Sequence, residues 1–299
     1  MPDDDRPASS NALLCVQLAM PEGPVALLDG SIALVEMGES RKSLSIVSPD
    51  GSHRILCRHG GNPNGLAIDG DGCFWVAGGP DQSIMRIAPD GELLMQITGD
   101  GERGFLFPND LAFGPDGLLY ATDSGIDPAR MFSQPAGSRL RDLDYDGSVY
   151  RIDPRAGKVV TKLAAGLNFT NGIAFGPDGD LYFNETLTGI VYRMTDDGAI
   201  ERHANVIRSP SDDFKGPDGM AFAADGTLYC AVLNEGHICV VAPDGTIADR
   251  LPTNGELPTN VAFDIERDRI YVTELSGGSI EIIPIDRPGL ALHAPSLTL

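Results

Sequence analysis

The sequence predicts an all-β chain folded as a six-bladed β-propeller of four-stranded antiparallel blades, and three observations predict it. A phrase of polar anchor, apolar strand and glycine-containing turn recurs along the chain. Its anchors fall at Glu22, Asn64, Asn109, Asn171, Asp218 and Asn260, spaced by 42, 45, 62, 47 and 42 residues. A period in this range, with several short strands per repeat, is the signature of a propeller. The 36 glycines and 22 prolines are scattered among turns rather than gathered in a linker. Radial repetition also lets 299 residues form one domain by adding blades instead of enlarging one core.

The clearest copy runs from Asn168 to Arg193. Asn171-Gly172 opens it and Ile173-Ala174-Phe175 reads as a short buried strand. Gly176-Pro177-Asp178-Gly179 supplies a fixed proline φ and a permissive glycine for a tight turn. Strands beginning at Leu181 and Ile190 follow. The other copies are Asn64-Gly65-Leu66, Asn109-Asp110-Leu111, Asp218-Gly219-Met220 and Asn260-Val261-Ala262, with Glu22-Gly23-Pro24 as a degenerate first member. At the chain ends, Leu13–Leu18 is expected to pair with Ser279–Ile285, completing the last blade and removing a free edge. Residues 1–10 read as a disordered acidic tail without the apolar segment of a secretory signal, and 11–299 as the propeller domain.

No run of about 18 apolar residues marks a membrane span. The five cysteines form no CxxC pair and their odd number leaves at least one thiol free, which fits reduced thiols and a cytoplasmic location. A net charge of −21 opposes binding to nucleic acid or an anionic membrane. No G-x-S-x-G elbow is present, and no P-loop or G-x-G-x-x-G follows a strand and opens a helix.

In a propeller the six anchors form a ring at one mouth of the central channel. Local side-chain-to-backbone turns account for Asn64 and Asn260. They account poorly for carboxylates standing next to amides. Glu22 and Asp218 together balance one divalent ion and Asn171 adds a neutral oxygen, a hard-oxygen set suited to calcium. The histidines are isolated in sequence and offer no competing zinc site.

Pro21-Glu22-Gly23-Pro24, Pro108-Asn109-Asp110, Thr170-Asn171-Gly172, Pro217-Asp218-Gly219-Met220 and Pro258-Thr259-Asn260-Val261 resemble the senescence-marker-protein/gluconolactonase family, from about residue 12 to 285. The resemblance implies one divalent cation, usually calcium, with zinc, manganese, magnesium or iron(II) as alternatives. It implies Glu22, Asn171 and Asp218 as ligands, Asp218 also as proton acceptor, and Asn109 as a catalytic residue on the substrate side. The implied partner is a small lactone or ester. Asn64, Asp123 and Glu185 are further candidates on the substrate side. Phe107 stands where animal members carry an arginine, and Glu185 where aspartate is common. A phosphotriester or fluorophosphate hydrolase on the same metal, and a calcium-binding scaffold without turnover, are the alternative functions.

The long third interval holds two more features. Residues 125–141 read as a loop over the channel mouth. Asp142, Asp144 and Asp146, with Gly147 and then Asp153, approximate a calcium loop, with a solvated acidic turn as the alternative.

Overall fold

The computed structural model describes residues 10–135, 138–155, 159–210, 213–264 and 266–297. The expected tail, 1–10, lies outside them except for Ser10. The first strand, β1 (Ala12–Cys15), stands apart from its sequence neighbours. The next four, β2 (Pro21–Ala26), β3 (Ile32–Glu36), β4 (Ser43–Val47) and β5 (His53–Cys57), make the first blade. Blade two is β6 (Leu66–Ile68), β7 (Phe74–Gly79), β8 (Ser83–Ile87) and β9 (Leu93–Ile97). Blade three is β10 (Pro108–Phe113), β11 (Leu119–Asp123), β12 (Gly147–Asp153) and β13 (Val159–Leu167). Blade four is β14 (Thr170–Phe175), β15 (Leu181–Glu185), β16 (Ile190–Met194) and β17 (Ile200–Asn205). Blade five is β18 (Gly216–Phe222), β19 (Leu228–Leu233), β20 (His237–Val241) and β21 (Ile247–Pro252). Blade six takes β22 (Pro258–Phe263), β23 (Arg269–Glu274) and β24 (Ser279–Pro284) from the end of the chain and β1 from its start.

The closing strand is shorter than the sequence suggests. Ala12 pairs with Ile282 and Cys15 with Ile280, and the ladder then stops. Gln17 and Met20 take left-handed φ values of 65° and 56°, which no strand accommodates. Leu18 still docks, its amide on the Gly278 carbonyl at 2.8 Å and its side chain buried with Cys15, Ile32, Tyr271 and Ile280.

Apolar side chains of neighbouring blades interdigitate. Trp75 meets Phe113 edge-on at 6.0 Å, and Tyr182 meets Phe222 at 4.8 Å. At the end of the channel away from the anchors, the C-terminal segment crosses several blades in turn. The Leu290 amide bonds the Phe222 carbonyl, His293 packs on Phe175, and the Leu297 amide reaches Asp71. The Leu297 side chain is buried against the blade two and three core. These contacts fall at or just beyond the last residues of the inner strands, so the two chain ends close the molecule in different ways.

A second device repeats around the ring. The acid at or just beyond the end of the second strand accepts backbone N–H groups from the segment leading into its own blade's inner strand. Glu36 takes Ala19 N (2.7 Å), Asp123 takes Leu106 N (2.7 Å) and Phe107 N (3.0 Å), and Glu185 takes Asn168 N (2.6 Å). Glu235 takes Arg208 N (3.1 Å) and Glu274 takes Leu257 N (3.1 Å). In blade two the Gly78 carbonyl does the same work for Asn62 N. Each latch satisfies a backbone donor that the ladder leaves unpaired, at a buried position for Phe107 and at partly buried ones elsewhere.

One insertion interrupts the symmetry, between β11 and β12. Within the expected loop it holds a short helix, α1 (Pro128–Phe132). Asp127 caps it by accepting from Ala129 N at 2.8 Å, and Pro128 pre-sets φ at its first position. Among the described residues no helix is long and apolar enough to cross a membrane.

Deleting residues 1–18 removes β1 and Leu18 and exposes the β24 edge together with Ile280 and Tyr271. Burial of these side chains is worth several kcal/mol, so thermal unfolding should fall by on the order of 10 °C, with increased aggregation. An unchanged melting temperature contradicts closure by this strand.

Candidate metal and catalytic centre

All six anchors are buried at the start of, or just before, the inner strands. In five blades the register of the inner hairpin slips at this point: between Glu22 and Val25, Pro108 and Leu111, Thr170 and Ile173, Pro217 and Met220, and Pro258 and Asn260. A bulge of this kind re-aims a side chain out of the alternating pattern. Here Asn109, Asn171 and Asp218 fall inside the slip and have no partner in the ladder, whereas Glu22 and Asn260 sit at its edge, still paired with Val35 and Thr273.

Close approach of the strands makes the bulges possible. A Cβ on Gly172 would overlap the Asp218 carbonyl, and one on Gly219 would overlap the Asn260 side chain. Hydroxyl groups then join successive blades. Thr122 Oγ1 donates to the Asn171 carbonyl (2.5 Å), Thr186 Oγ1 to the Pro217 carbonyl (2.8 Å) and Thr259 Oγ1 to the Pro21 carbonyl (3.0 Å). Asn184 Nδ2 adds a bond to the Asp218 carbonyl at 2.7 Å. The backbone carrying the ring is therefore fixed from both sides.

Glu22, Asn171 and Asp218, the expected ligands, are brought together with Asn260 and a residue the sequence reading passed over, Asp110. Asn260 Nδ2 donates to Glu22 Oε2 at 3.1 Å and also to the Asp110 carboxylate, and Asn171 donates to Asp218. Asp110 additionally accepts from Leu111 N at 2.9 Å and Ile173 N at 3.4 Å. Asp110 had one signal in the sequence. Glycine follows the anchor in blades one, two, four and five, whereas blade three places a carboxylate there.

Three carboxyls thus share a buried space. Burial pushes Glu22 well above the usual carboxylate range, and the charges of Asp218 and Asp110 push it further. Burial and the Asp110 charge do the same to Asp218. Burial lifts Asp110 to about 7, against the pull of its backbone and amide donors. Among the described residues no three His, Cys, Asp or Glu side chains are gathered tightly enough to hold a metal by themselves. An ion at this mouth would accordingly draw on Asn171 and other neutral oxygens beside Glu22 and Asp218. That donor set fits a hard divalent cation with flexible coordination, such as calcium.

Asn109 is buried in the same ring with its Nδ2 donated to Ser124 Oγ at 2.9 Å. Asn64 is buried at the equivalent place in blade two. Asp123 and Glu185, candidates for meeting substrate, are instead two of the repeated latches. Asp123 is saturated by the amides of Leu106, Phe107 and Gly125, and Glu185 by Asn168 N, Thr188 and Tyr192. The acidic run does not converge. Asp142 pairs with Arg139, Asp144 with Arg130, Asp146 with Arg103 and Asp153 with Arg155. Four arginines draw the four carboxylates apart, and the solvated acidic turn describes the segment better than a calcium loop.

Residues 98–276 match the family described as SMP-30/Gluconolactonase/LRE-like region. A gluconolactonase of Zymomonas mobilis is 26% identical over 223 residues, 70% of this chain and 60% of the relative. A pentonolactonase of Haloferax volcanii is 31% identical over 174 residues, 56% of this chain and 53% of the relative. The chain therefore spans little more than half the length of these relatives. Among solved structures, a calcium-binding regucalcin of Agrobacterium tumefaciens superimposes with a TM-score of 0.77 at 20% identity, covering 96% of this chain and 98% of the other. A gluconolactonase of Xanthomonas campestris does so with a TM-score of 0.74 at 24% identity over 92% and 89%. At these identities the superpositions speak for the fold alone.

The raised carboxyls carry a pH dependence with a definite sign. Their folded pKa values exceed the unfolded ones, so without metal the folded state binds more protons between the two, and stability falls as pH rises. For Asp110 the window runs from about 4 to about 7. The metal-free melting temperature should drop across that window, and the rise produced by calcium should be larger at pH 8 than at pH 5. Asp110→Asn should flatten the metal-free slope. A slope of the opposite sign contradicts the burial of these charges.

Proposed function

Because the chain belongs to the SMP-30/gluconolactonase/LRE-like family, we propose that it hydrolyses a lactone or related small ester with the help of one divalent cation, most readily calcium. The observation that carries this reading is the convergence of the Glu22, Asp218 and Asp110 carboxyls with the Asn171 and Asn260 amides in one buried cluster at the anchor ring. Relatives named as gluconolactonase and pentonolactonase supply the reaction class.

Glu22, Asn171 and Asp218 would hold the ion. When bound, it supplies positive charge beside the lactone carbonyl and so favours the oxyanion that develops in hydrolysis. The chain's own residues do the rest. Asp218 has two carboxylate oxygens, and a neighbouring cation reverses the upward pressure on its pKa, keeping it ionised at neutral pH. The second oxygen accepts a proton from water as the water oxygen bonds to the carbonyl carbon. The ring C–O bond then breaks, its electron pair stays on the leaving oxygen, and the proton held by Asp218 passes there. The product is the open hydroxy acid. Asn109, with its amide nitrogen fixed by Ser124, presents its carbonyl oxygen to the water or to a hydroxyl of the substrate.

Titration of released acid with simple γ- and δ-lactones, before and after chelation by EDTA, tests the reading. Turnover should vanish with the metal and return with calcium. Asp218→Asn keeps an oxygen ligand and removes the basicity, so it should retain the ion more weakly and lose turnover about a hundredfold or more. Near-normal turnover of this variant at saturating calcium contradicts the proton-acceptor role, and turnover unaffected by EDTA contradicts the metal.

A further inference from the structure

Bulging of the inner ladder does not by itself separate the anchors expected to hold an ion from the others. Asn109 lies inside a slip although it is not an expected ligand, and Glu22, which is one, only borders a slip. A second backbone feature makes the separation. Two residues ahead of Glu22, Asn171 and Asp218 stand Met20, Phe169 and Gly216, with φ values of 56°, 59° and 145°. The residues at the same place ahead of Asn64, Asn109 and Asn260 are Asn62, Phe107 and Pro258, and none of these three has a positive φ. Only seven described residues other than glycine take a positive φ, and two of them hold this position.

Each kink is held in place. The Met20 carbonyl accepts from Met37 N and the Phe169 carbonyl from Thr186 N, both at 3.0 Å. Thr186 also meets the third kink, because its carbonyl lies where a Cβ on Gly216 would be. Its hydroxyl accepts from Asn171 Nδ2 at 3.1 Å and donates to the Pro217 carbonyl at 2.8 Å. Phe169 is the most demanding of the three, since a bulky residue is strained at this φ and stays there only where its surroundings enforce it. Its buried ring meets Phe107 at 6.4 Å, Tyr145 of the insertion at 5.6 Å and Phe214 at 4.9 Å, all edge-on. Beyond the kink, Asn171 gives Nδ2 hydrogens to Thr186 and to Asp218, which leaves Oδ1 as the atom able to face an ion.

We propose that the three kinks select which anchors receive the cation, and that Met20 and Phe169 are positioning residues for Glu22 and Asn171. A positive φ turns the chain out of its extended course, so the anchor two residues on enters the ring at an angle different from that of an anchor reached along an extended approach. The proposal rests on the cation reading. Glycine adopts such a φ freely, whereas a β-branched residue almost never does. Substitution can therefore keep or remove a kink independently of how much side chain is lost.

The test is the calcium dissociation constant, measured by calorimetry at pH 8 on the full chain, beside the melting temperature of each variant. Phe169→Gly and Phe169→Val both lose the ring, so both should melt below the unsubstituted protein. Phe169→Gly permits the kink and should bind calcium within about threefold of it. Phe169→Val removes the kink and should bind about tenfold more weakly or worse. Met20 is 41% exposed, so substitutions there should leave the fold intact. Met20→Val should again weaken calcium about tenfold, with Met20→Gly within about threefold. A role in packing alone predicts that glycine, which loses more contacts, weakens binding at least as much as valine. That order, or valine variants that bind as tightly as the unsubstituted protein, overturns the proposal and leaves the cation reading in place. Absence of calcium binding by the unsubstituted protein overturns the cation reading, and the proposal falls with it.

Discussion

Three like charges buried at one end of a channel are the constraint on which the rest of the structure depends. Glu22, Asp110 and Asp218 come from blades one, three and five, and each is held away from water. Isolated burial of one carboxylate is costly, and three together are tolerable only as protonated acids or around a cation. A flexible framework would relieve the repulsion by moving apart. This one is prevented from doing so by the latching acids, by the inter-blade bonds of Thr122, Thr186 and Thr259, and by closure of the ring through β1. The propeller holds the carboxyls in place, and a bound cation would relieve them.

The same framework separates two kinds of acid that composition alone makes indistinguishable. Glu36, Asp123, Glu185, Glu235 and Glu274 accept backbone amides and serve the fold. Glu22, Asp110 and Asp218 look into the space the strands enclose. The difference is geometric: the first group ends the second strands, whereas the second group sits where a bulge breaks the innermost ladder.

Much of this was legible in the sequence because it repeats. Six anchors, their period and their turns give the blade count and the ring, and the apolar run at Leu13 gives the closing strand. What escaped was whatever departs from the repeat or depends on a partner distant in sequence. Asp110 occupies a position held by glycine in four other blades, so a comparison of the copies could have singled it out. Asp123 and Glu185 could not be assigned locally, because the amides they bind lie some 16 to 17 residues earlier in the chain. The Asp142–Asp153 run has the spacing of a cation loop, but its arginine partners include Arg103, outside the motif altogether. The insertion helix rests on one cap, Asp127-Pro128, too short a pattern for a periodicity to show.

The apolar cluster at the same lip ties the insertion to the centre. Met131 and Phe132 pack where Phe107 and Phe169 enter the inner strands, so the one segment that breaks the symmetry of the blades borders the one group of charges that symmetry gathers.

The central claim is that the clustered carboxyls form the site of one divalent cation. Carboxyls raised by burial hold protons that a cation must displace. Calorimetric titration with calcium at pH 6, in two buffers of different ionisation enthalpy, measures both quantities at once. The account predicts one ion per chain, bound with release of protons, and less release at pH 8, where Asp110 is already ionised. Calcium binding without proton release at pH 6, or with an affinity unchanged in Glu22→Gln, would contradict it.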